Sequence, residues 1–115
     1  MTGSGSSPVV LYSAGSPALE DLRRALAEEG VETVLLAERE SVFAASPRAI
    51  VVDLQGFSDP WNDVRRFGSD ERLASTGIFV YAENAADGLP YDRAGKIRRF
   101  ARLVADSLGV SPRRA

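Results

Sequence analysis

The chain has 115 residues, no cysteine and no histidine, and a formal net charge of −2. Its own side chains therefore offer no thiol catalysis, no disulfide and no histidine-based metal or acid–base chemistry. A slightly acidic balance also gives no overall field that would attract nucleic acid.

The length predicts a single domain, which we place at residues 8–109, between a flexible N-terminal arm (1–7) and a flexible C-terminal tail (110–115). No apolar run approaches the ~20 residues that span a bilayer, so no membrane contact is expected. The first residues lack the basic and apolar regions of a signal peptide. We therefore expect a cytoplasmic location.

The first elements in the chain are predicted to be a strand, a helix and a second strand. Val9–Ser13 is a short apolar run with β-branched residues, typical of a buried strand. Ser16 and Pro17 predict a helix start, because a hydroxyl can cap a helix and proline is tolerated at its first position. Gly30 predicts a left-handed end to this helix, and Val31–Ala37 a second strand.

A second helix and a central strand follow. Glu38–Ala45 is predicted to be a short helix that ends before Pro47. Ala49–Leu54 is apolar almost throughout, as expected of a strand covered on both faces in a parallel sheet. Asp59 and Pro60 then predict the start of a third helix, as cap and first helical residue.

The remaining pattern predicts a fourth strand, Ile78–Ala82, and a last helix capped by Asp92 and ended by Gly109. Strands alternate with helices, so the predicted fold is an α/β/α sandwich around a parallel, flavodoxin- or receiver-like sheet of four to five strands. The predicted apolar stripes are Trp61, Val64 and Phe67 on the third helix, and Ile97, Phe100, Leu103, Val104 and Leu108 on the last, with Arg98, Arg99 and Arg102 on a solvated face.

The stretch RAIVVDLQGFSDPWNDVRRFGSDERLASTGIFVYAENAAD (48–87) resembles the receiver domain of two-component response regulators, as does SPALEDLRRALAEEGVETVLLAE before it. The resemblance covers about two thirds of the chain. It places Asp53 at the family's phospho-accepting position. It aligns Ala14 and Gly15 with the family's acidic pair, and Ala82 with its switch threonine or serine.

The family's other features are also altered. Its lysine after a fifth strand has no match, since Lys96 falls inside the last predicted helix. The interval Glu83–Tyr91 is too short for the helix and strand that a receiver places there, although an extended piece near Gly88–Pro90 would fit. The fold is thus expected to be shortened after the fourth strand.

Phosphoryl transfer to a carboxylate needs a divalent ion, and a lone Asp53 is a poor Mg²⁺ site. The resemblance therefore implies a non-enzymatic pseudo-receiver that uses no metal or cofactor. We expect a phosphorylation-independent adaptor in bacterial signalling or cell organisation, with another protein as its partner. A homodimer through an exposed sheet edge is a further possibility, because a missing fifth strand would leave such an edge.

The candidate partner surface comprises Phe57, Trp61, Glu83, Asn84 and Tyr91. Phe57 follows a loop glycine and is the better candidate for an exposed contact. Trp61 lies on the helical stripe, where a large ring more often packs in the core.

Other interpretations stay open. Ser13, Gly15 and Ser16 form a turn before a helix, which is a geometry that binds anions, so a small-ligand or nucleotide-binding domain is one alternative. A weakly phosphorylated Asp53 is another, against a purely local role in bonding loop N–H groups. The stretch LYSAGSPALEDLRRALAEEGVETVLLAE, with the later DPW, also resembles Toll/interleukin-1 receptor-like domains. That family's catalytic glutamate lies four residues after such a tryptophan, where this chain has Arg65.

Overall fold

The structure is a computed structural model, and it describes residues 8–82 and 93–109. Within these ranges the chain forms a flavodoxin-like α/β/α sandwich, which confirms the predicted fold class. Its elements are β1 (Val9–Tyr12), α1 (Leu19–Glu28), β2 (Thr33–Leu36), α2 (Arg39–Ala45), β3 (Ala49–Asp53), α3 (Pro60–Ser69), a 3₁₀ turn (Glu71–Leu73), β4 (Gly77–Tyr81) and α4 (Arg93–Leu108). The predictions for residues 1–7, 83–92 and 110–115 lie outside the described residues.

The sheet is parallel throughout and has the strand order β2-β1-β3-β4. Strands β1 and β3 lie in the centre and are buried along their whole length, as the apolar run of β3 predicted. The chain moves outward to β2 on one side of β1, then crosses to β3 on the other. The carboxyl ends of β1 and β3 therefore form the crevice in which doubly wound α/β domains bind ligands.

Two hydrophobic cores cover the two faces of the sheet. Alternate residues of each strand point to opposite faces, so Leu11 belongs to one core and Val10 to the other. The first core lies under α1 and α4, and includes Leu22, Leu26, Val51, Ile97 and Val104. The second lies under α2 and α3, and includes Tyr12, Val42, Phe43, Ile50 and Phe67.

The predicted end of α1 is confirmed in detail. Gly30 adopts a φ of 88°, which only glycine reaches without strain. Its amide donates to the Ala27 carbonyl at 3.0 Å, and the amide of Val31 donates to the Leu26 carbonyl at 2.8 Å. This pair of bonds is a Schellman motif, and the buried Val31 and Leu26 belong to the same core.

The start of α3 also follows the prediction. The Asp59 side chain accepts a hydrogen bond from the amide of Asn62 at 3.3 Å, and Pro60 is the first helical residue. By contrast, α1 begins at Leu19, so the predicted start at Ser16 and Pro17 is wrong. The Ser16 hydroxyl accepts the Ala18 amide in the turn that precedes α1, and it also donates to Asp53 at the end of β3.

Two predicted core positions are exposed. Trp61 is 55% exposed and Leu103 is 56% exposed, so neither packs in the core. On α3 the buried positions are Phe67 and Asp63, one helical turn apart. On α4 they include Ile97 and Val104 together with Ala101 and Ala105, while Phe100 and Leu108 are partly buried.

Arg98, Arg99 and Arg102 are exposed, as predicted for a solvated face. Arg102 also pairs with Glu29 of the α1 end at 3.1 Å. None of the described helices combines the length and apolarity needed to cross a membrane.

Candidate functional site

Asp53 ends β3 at the crevice between the central strands and is fully buried. Its Oδ2 accepts hydrogen bonds from the hydroxyls of Ser13, at 2.9 Å, and Ser16, at 2.5 Å. Its Oδ1 accepts a bond from the amide of Gln55 at 3.3 Å. A buried carboxylate is costly unless it is hydrogen-bonded, and these donors meet that need.

The β1–α1 turn holds the two hydroxyls in place. Ser13 directly follows β1, whose last residue Tyr12 pairs with Val52 beside Asp53. The Ser13 hydroxyl oxygen accepts a bond from the Gly15 amide at 3.1 Å, and that of Ser16 accepts one from Ala18 at 3.2 Å. Each hydroxyl therefore uses its oxygen within the turn and its proton on Asp53.

A close contact between loops lies next to this carboxylate. Gly56 has a φ of +91°, and a Cβ placed on it would come within 2.9 Å of the Ala14 Cβ. The β1–α1 turn and the loop after β3 are thus already in contact. Ala14 and Gly15, which align with the acidic pair of the receiver family, have no carboxyl group to add beside Asp53.

The same geometry bears on the candidate anion-binding turn. The donors that this interpretation requires are the hydroxyls of Ser13 and Ser16 and the amide of Gly15. All of them are used in hydrogen bonds within the protein. The Asp53 carboxylate accepts from both hydroxyls, and its negative charge would repel an anion that approached them.

Lys96 reaches the carboxyl end of β4. Its ammonium donates a hydrogen bond to the main-chain carbonyl of Ala82 and lies 5.3 Å from the centre of the Tyr81 ring. The sequence placed Lys96 inside the last helix, and this is confirmed. What the sequence did not predict is that its side chain extends to the edge of the sheet where Asp53 lies.

Beside the crevice, a cluster around the buried Asp63 carboxyl group joins β1, α2 and α3. Asp63, 8% exposed, accepts a hydrogen bond from the Tyr12 hydroxyl at 2.8 Å and from the Arg39 guanidinium at 2.9 Å. Burial, and then the Asp63 carboxylate, raise the pKa of Tyr12 well above its ordinary value, so its hydroxyl stays protonated. The Arg39 Nε is buried without a hydrogen-bond partner among the described residues.

This cluster forms the floor of an open groove of about 630 Å³. Its walls are the start of α2 and the β3–α3 loop, and the lining as a whole carries four carboxyl groups but a single guanidinium. The lining residues are Tyr12, Glu38, Arg39, Glu40, Phe57, Ser58, Asp59, Asn62 and Asp63. We call this feature the acidic groove. Nowhere in the described ranges do three or more acidic side chains converge as metal ligands.

The sequence predicted an exposed Phe57 and a Trp61 packed in the core, and the structure shows the reverse. Phe57 is partly buried and stacks on Tyr12, with ring centres 4.4 Å apart and planes within 6°. It therefore forms a fixed wall of the acidic groove and is not a freely exposed contact. Trp61, at the start of α3 next to the groove residue Asn62, is the exposed aromatic.

The remaining candidates are placed as follows. Arg65 is exposed and donates to the Asn62 side chain at 3.2 Å. Glu83, Asn84 and Tyr91 lie outside the described residues. The acidic groove and the Tyr12–Arg39–Asp63 cluster were missed, because these residues are far apart in the chain and no local motif connects them.

Comparison of the chain with protein-family models, with curated proteins and with solved structures gives no significant match. The two family resemblances therefore stay predictions, and the function has to be inferred from the geometry.

Proposed function

We propose that this domain is a non-catalytic pseudo-receiver, an adaptor that binds another protein without a phosphorylation switch. The observation that carries the proposal is the state of Asp53. Its carboxylate is fully buried and accepts hydrogen bonds from Ser13, Ser16 and Gln55. These bonds connect the β1–α1 turn to the loop after β3 through the Asp53 carboxylate. A phosphoacceptor, by contrast, needs a carboxylate oxygen that can attack phosphorus.

Phosphorylation of Asp53 would have to break this network. A carboxylate oxygen must approach the phosphorus in line, and a divalent ion must neutralise the charge that develops on the phosphate oxygens. Oδ2 is held by both hydroxyls, and the close approach of Gly56 to Ala14 leaves little space beside it. Hydrogen bonds to a charged group contribute roughly 1.5–3 kcal/mol each, so their loss would oppose the modified state.

The partner contact in this proposal is the acidic groove together with Trp61. Its excess of carboxyl groups over guanidinium groups fits a partner segment that presents lysine or arginine. The exposed Trp61, in the first turn of α3, supplies apolar area and a face for a cation, and tryptophan is enriched at binding hot spots. The partner we propose is therefore a protein with a basic contact segment.

The absence of a switch can be tested with amide NMR spectra of the labelled protein. Spectra are recorded alone, with Mg²⁺, and with Mg²⁺ plus beryllofluoride, which mimics a phosphoryl group on a carboxylate. We expect no saturable shift at Asp53, Ala14 or Ala82. Saturable shifts at these residues would overturn the proposal in favour of a phosphorylatable regulator, and shifts with inorganic phosphate around Ser13–Ser16 in favour of an anion-binding domain.

The partner surface can be tested with a defined probe. An arginine-rich peptide is titrated against the protein, with an aspartate-rich peptide of equal length as its control. We expect salt-sensitive shifts at Asn62 and Asp59 with the basic peptide alone. Trp61→Ala should weaken this binding while Leu103→Ala does not, since both side chains are equally exposed and only Trp61 belongs to the first turn of α3, beside the groove residue Asn62 in the chain. Equal binding of both peptides, or equal effects of both variants, would refute the assignment.

A further inference from the structure

The outer edge of β2 has the features of an unprotected strand edge. β2 is the first strand in the order β2-β1-β3-β4, and among residues 8–82 and 93–109 it pairs with β1 alone. Its sequence, TVLL, contains no lysine or proline, residues with which proteins normally protect such edges. Val34 is 46% exposed and Leu35 is 41% exposed, although the neighbouring strand β1 is fully buried.

The two exposed side chains lie on opposite faces of the sheet. Val34 pairs with Val10, which belongs to the core under α2 and α3, and Leu35 pairs with Leu11, which belongs to the core under α1 and α4. Apolar surface is therefore open on both sides of the same edge. A strand added beside β2 would cover both side chains at once.

The backbone direction shows which groups of β2 point outward. The Ser13 amide donates to the Leu36 carbonyl at 3.0 Å, so the polar groups of Leu36 point at β1. Because these groups alternate along a strand, those of Val34 also point at β1, and those of Thr33 and Leu35 point away from the sheet. The outward groups thus belong to two residues that flank Val34.

We propose that two copies of this chain join through β2, antiparallel, about a two-fold axis at Val34. The axis is perpendicular to the sheet, so it places Val34 opposite its own copy, and Thr33 of each strand opposite Leu35 of the other. Both such pairs then exchange N–H and carbonyl hydrogen bonds. The result is one continuous sheet through both domains, with an isologous interface of the kind that closes a dimer.

Charge disfavours the neighbouring register that is centred on Leu35. With Leu35 on the axis, Glu32 of each copy would lie opposite Glu38 of the other, and directly opposed like charges destabilise a strand pair. With Val34 on the axis, Glu32 lies opposite Leu36. This dimer uses the β2 edge of the sheet. The sequence suggested the opposite edge, which a missing fifth strand would leave at β4. The dimer is also independent of the acidic groove, so the adaptor proposal stands or falls separately.

The test uses the full chain in analytical ultracentrifugation over a concentration series, with circular dichroism as a check of folding. The wild type is expected to show a monomer–dimer equilibrium. Val34→Lys and Val34→Glu are each expected to be monomers, because each places like charges on the axis. Mixing the two variants should restore a dimer, since lysine then faces glutamate. Leu103→Lys is the control, because Leu103 is also an exposed apolar side chain but belongs to α4, and this variant should dimerise as the wild type does.

A wild type that stays monomeric overturns the proposal. This holds even if the reason is that another segment of the chain covers the β2 edge. The proposal is also overturned by a dimer that survives Val34→Lys, or by a mixture of the two charged variants that stays monomeric. Leu35→Pro provides a second test. It removes an outward N–H group and no bond to β1, and we expect it to weaken the dimer while the fold is kept.

Discussion

The hydrogen bond from Ser13 to Asp53 predicts the outcome of a double-mutant cycle. Ser13→Ala removes a donor from a buried carboxylate, and Ser13 itself is only 2% exposed, so water cannot easily replace the hydroxyl. A hydrogen bond to a charged group contributes about 1.5–3 kcal/mol, and we expect a loss of about 2–3 kcal/mol in the free energy of unfolding. For a chain of this size that corresponds to roughly 8–12 °C in melting temperature.

Ser16→Ala is the matched control. Ser16 donates to the same carboxylate oxygen, but it is only partly buried, so water can reach the vacated position. Its loss is expected to cost about 1 kcal/mol, less than the loss of Ser13.

Repeating Ser13→Ala in the Asp53→Asn variant then isolates the contribution of the negative charge on Asp53. Hydrogen bonds to an ionised group are about twice as strong as neutral ones, so Ser13→Ala should cost only about 1 kcal/mol when residue 53 is asparagine. Urea unfolding of the wild type, both single variants and the double variant measures the coupling. If Ser13→Ala costs the same in both backgrounds, within the ~0.5 kcal/mol typical of independent sites, the bond does not support the buried carboxylate and our reasoning is wrong.

Three further outcomes are expected. Phe67→Ala should cost about 3–5 kcal/mol in urea unfolding, because the ring is fully buried, whereas Trp61→Ala should cost under about 1 kcal/mol; equal costs would contradict the exposure of the two rings. Gly56→Ala should destabilise by about 1–3 kcal/mol, since it combines a positive φ with a 2.9 Å contact, and an unchanged urea midpoint would show that the loops are not in contact. Hydrogen bonds from Arg72 lower the pKa of Asp70 to about 2. The contribution of this pair to stability is therefore complete above the ordinary pKa of 3.8, and it is lost as the pH falls through 2. NMR titration of the Asp70 carboxyl group should show a midpoint near 2, and Arg72→Ala should return that midpoint towards 3.8.

Much of the fold could be predicted because its signals are local. The apolar run of β3, the Asp59–Pro60 start of α3 and the glycine that ends α1 each depend on residues a few positions apart. Alternation of strands and helices then leaves few topologies other than a parallel sheet.

The candidate site could be predicted less well, because its contacts are long-range. Asp63 is polar, so the sequence assigned the buried face of α3 to Trp61, but Arg39 and Tyr12 satisfy the Asp63 carboxylate in the core. These partners lie 24 and 51 residues away. In the same way, Ser16 was predicted only to cap a helix; its hydroxyl accepts the Ala18 amide in the turn before α1, but it also donates to Asp53, 37 residues away.

The loop after β3 is fixed at several points before any partner arrives. Gln55 bonds to Asp53, Gly56 lies against Ala14, and Phe57 stacks on Tyr12. This loop forms one wall of the acidic groove. If the proposed partner segment docks there, the loop therefore has little conformational entropy left to lose. Binding at this wall should therefore resemble rigid docking, in which the ordering cost falls on the incoming segment, and long-range charge attraction sets the rate of encounter.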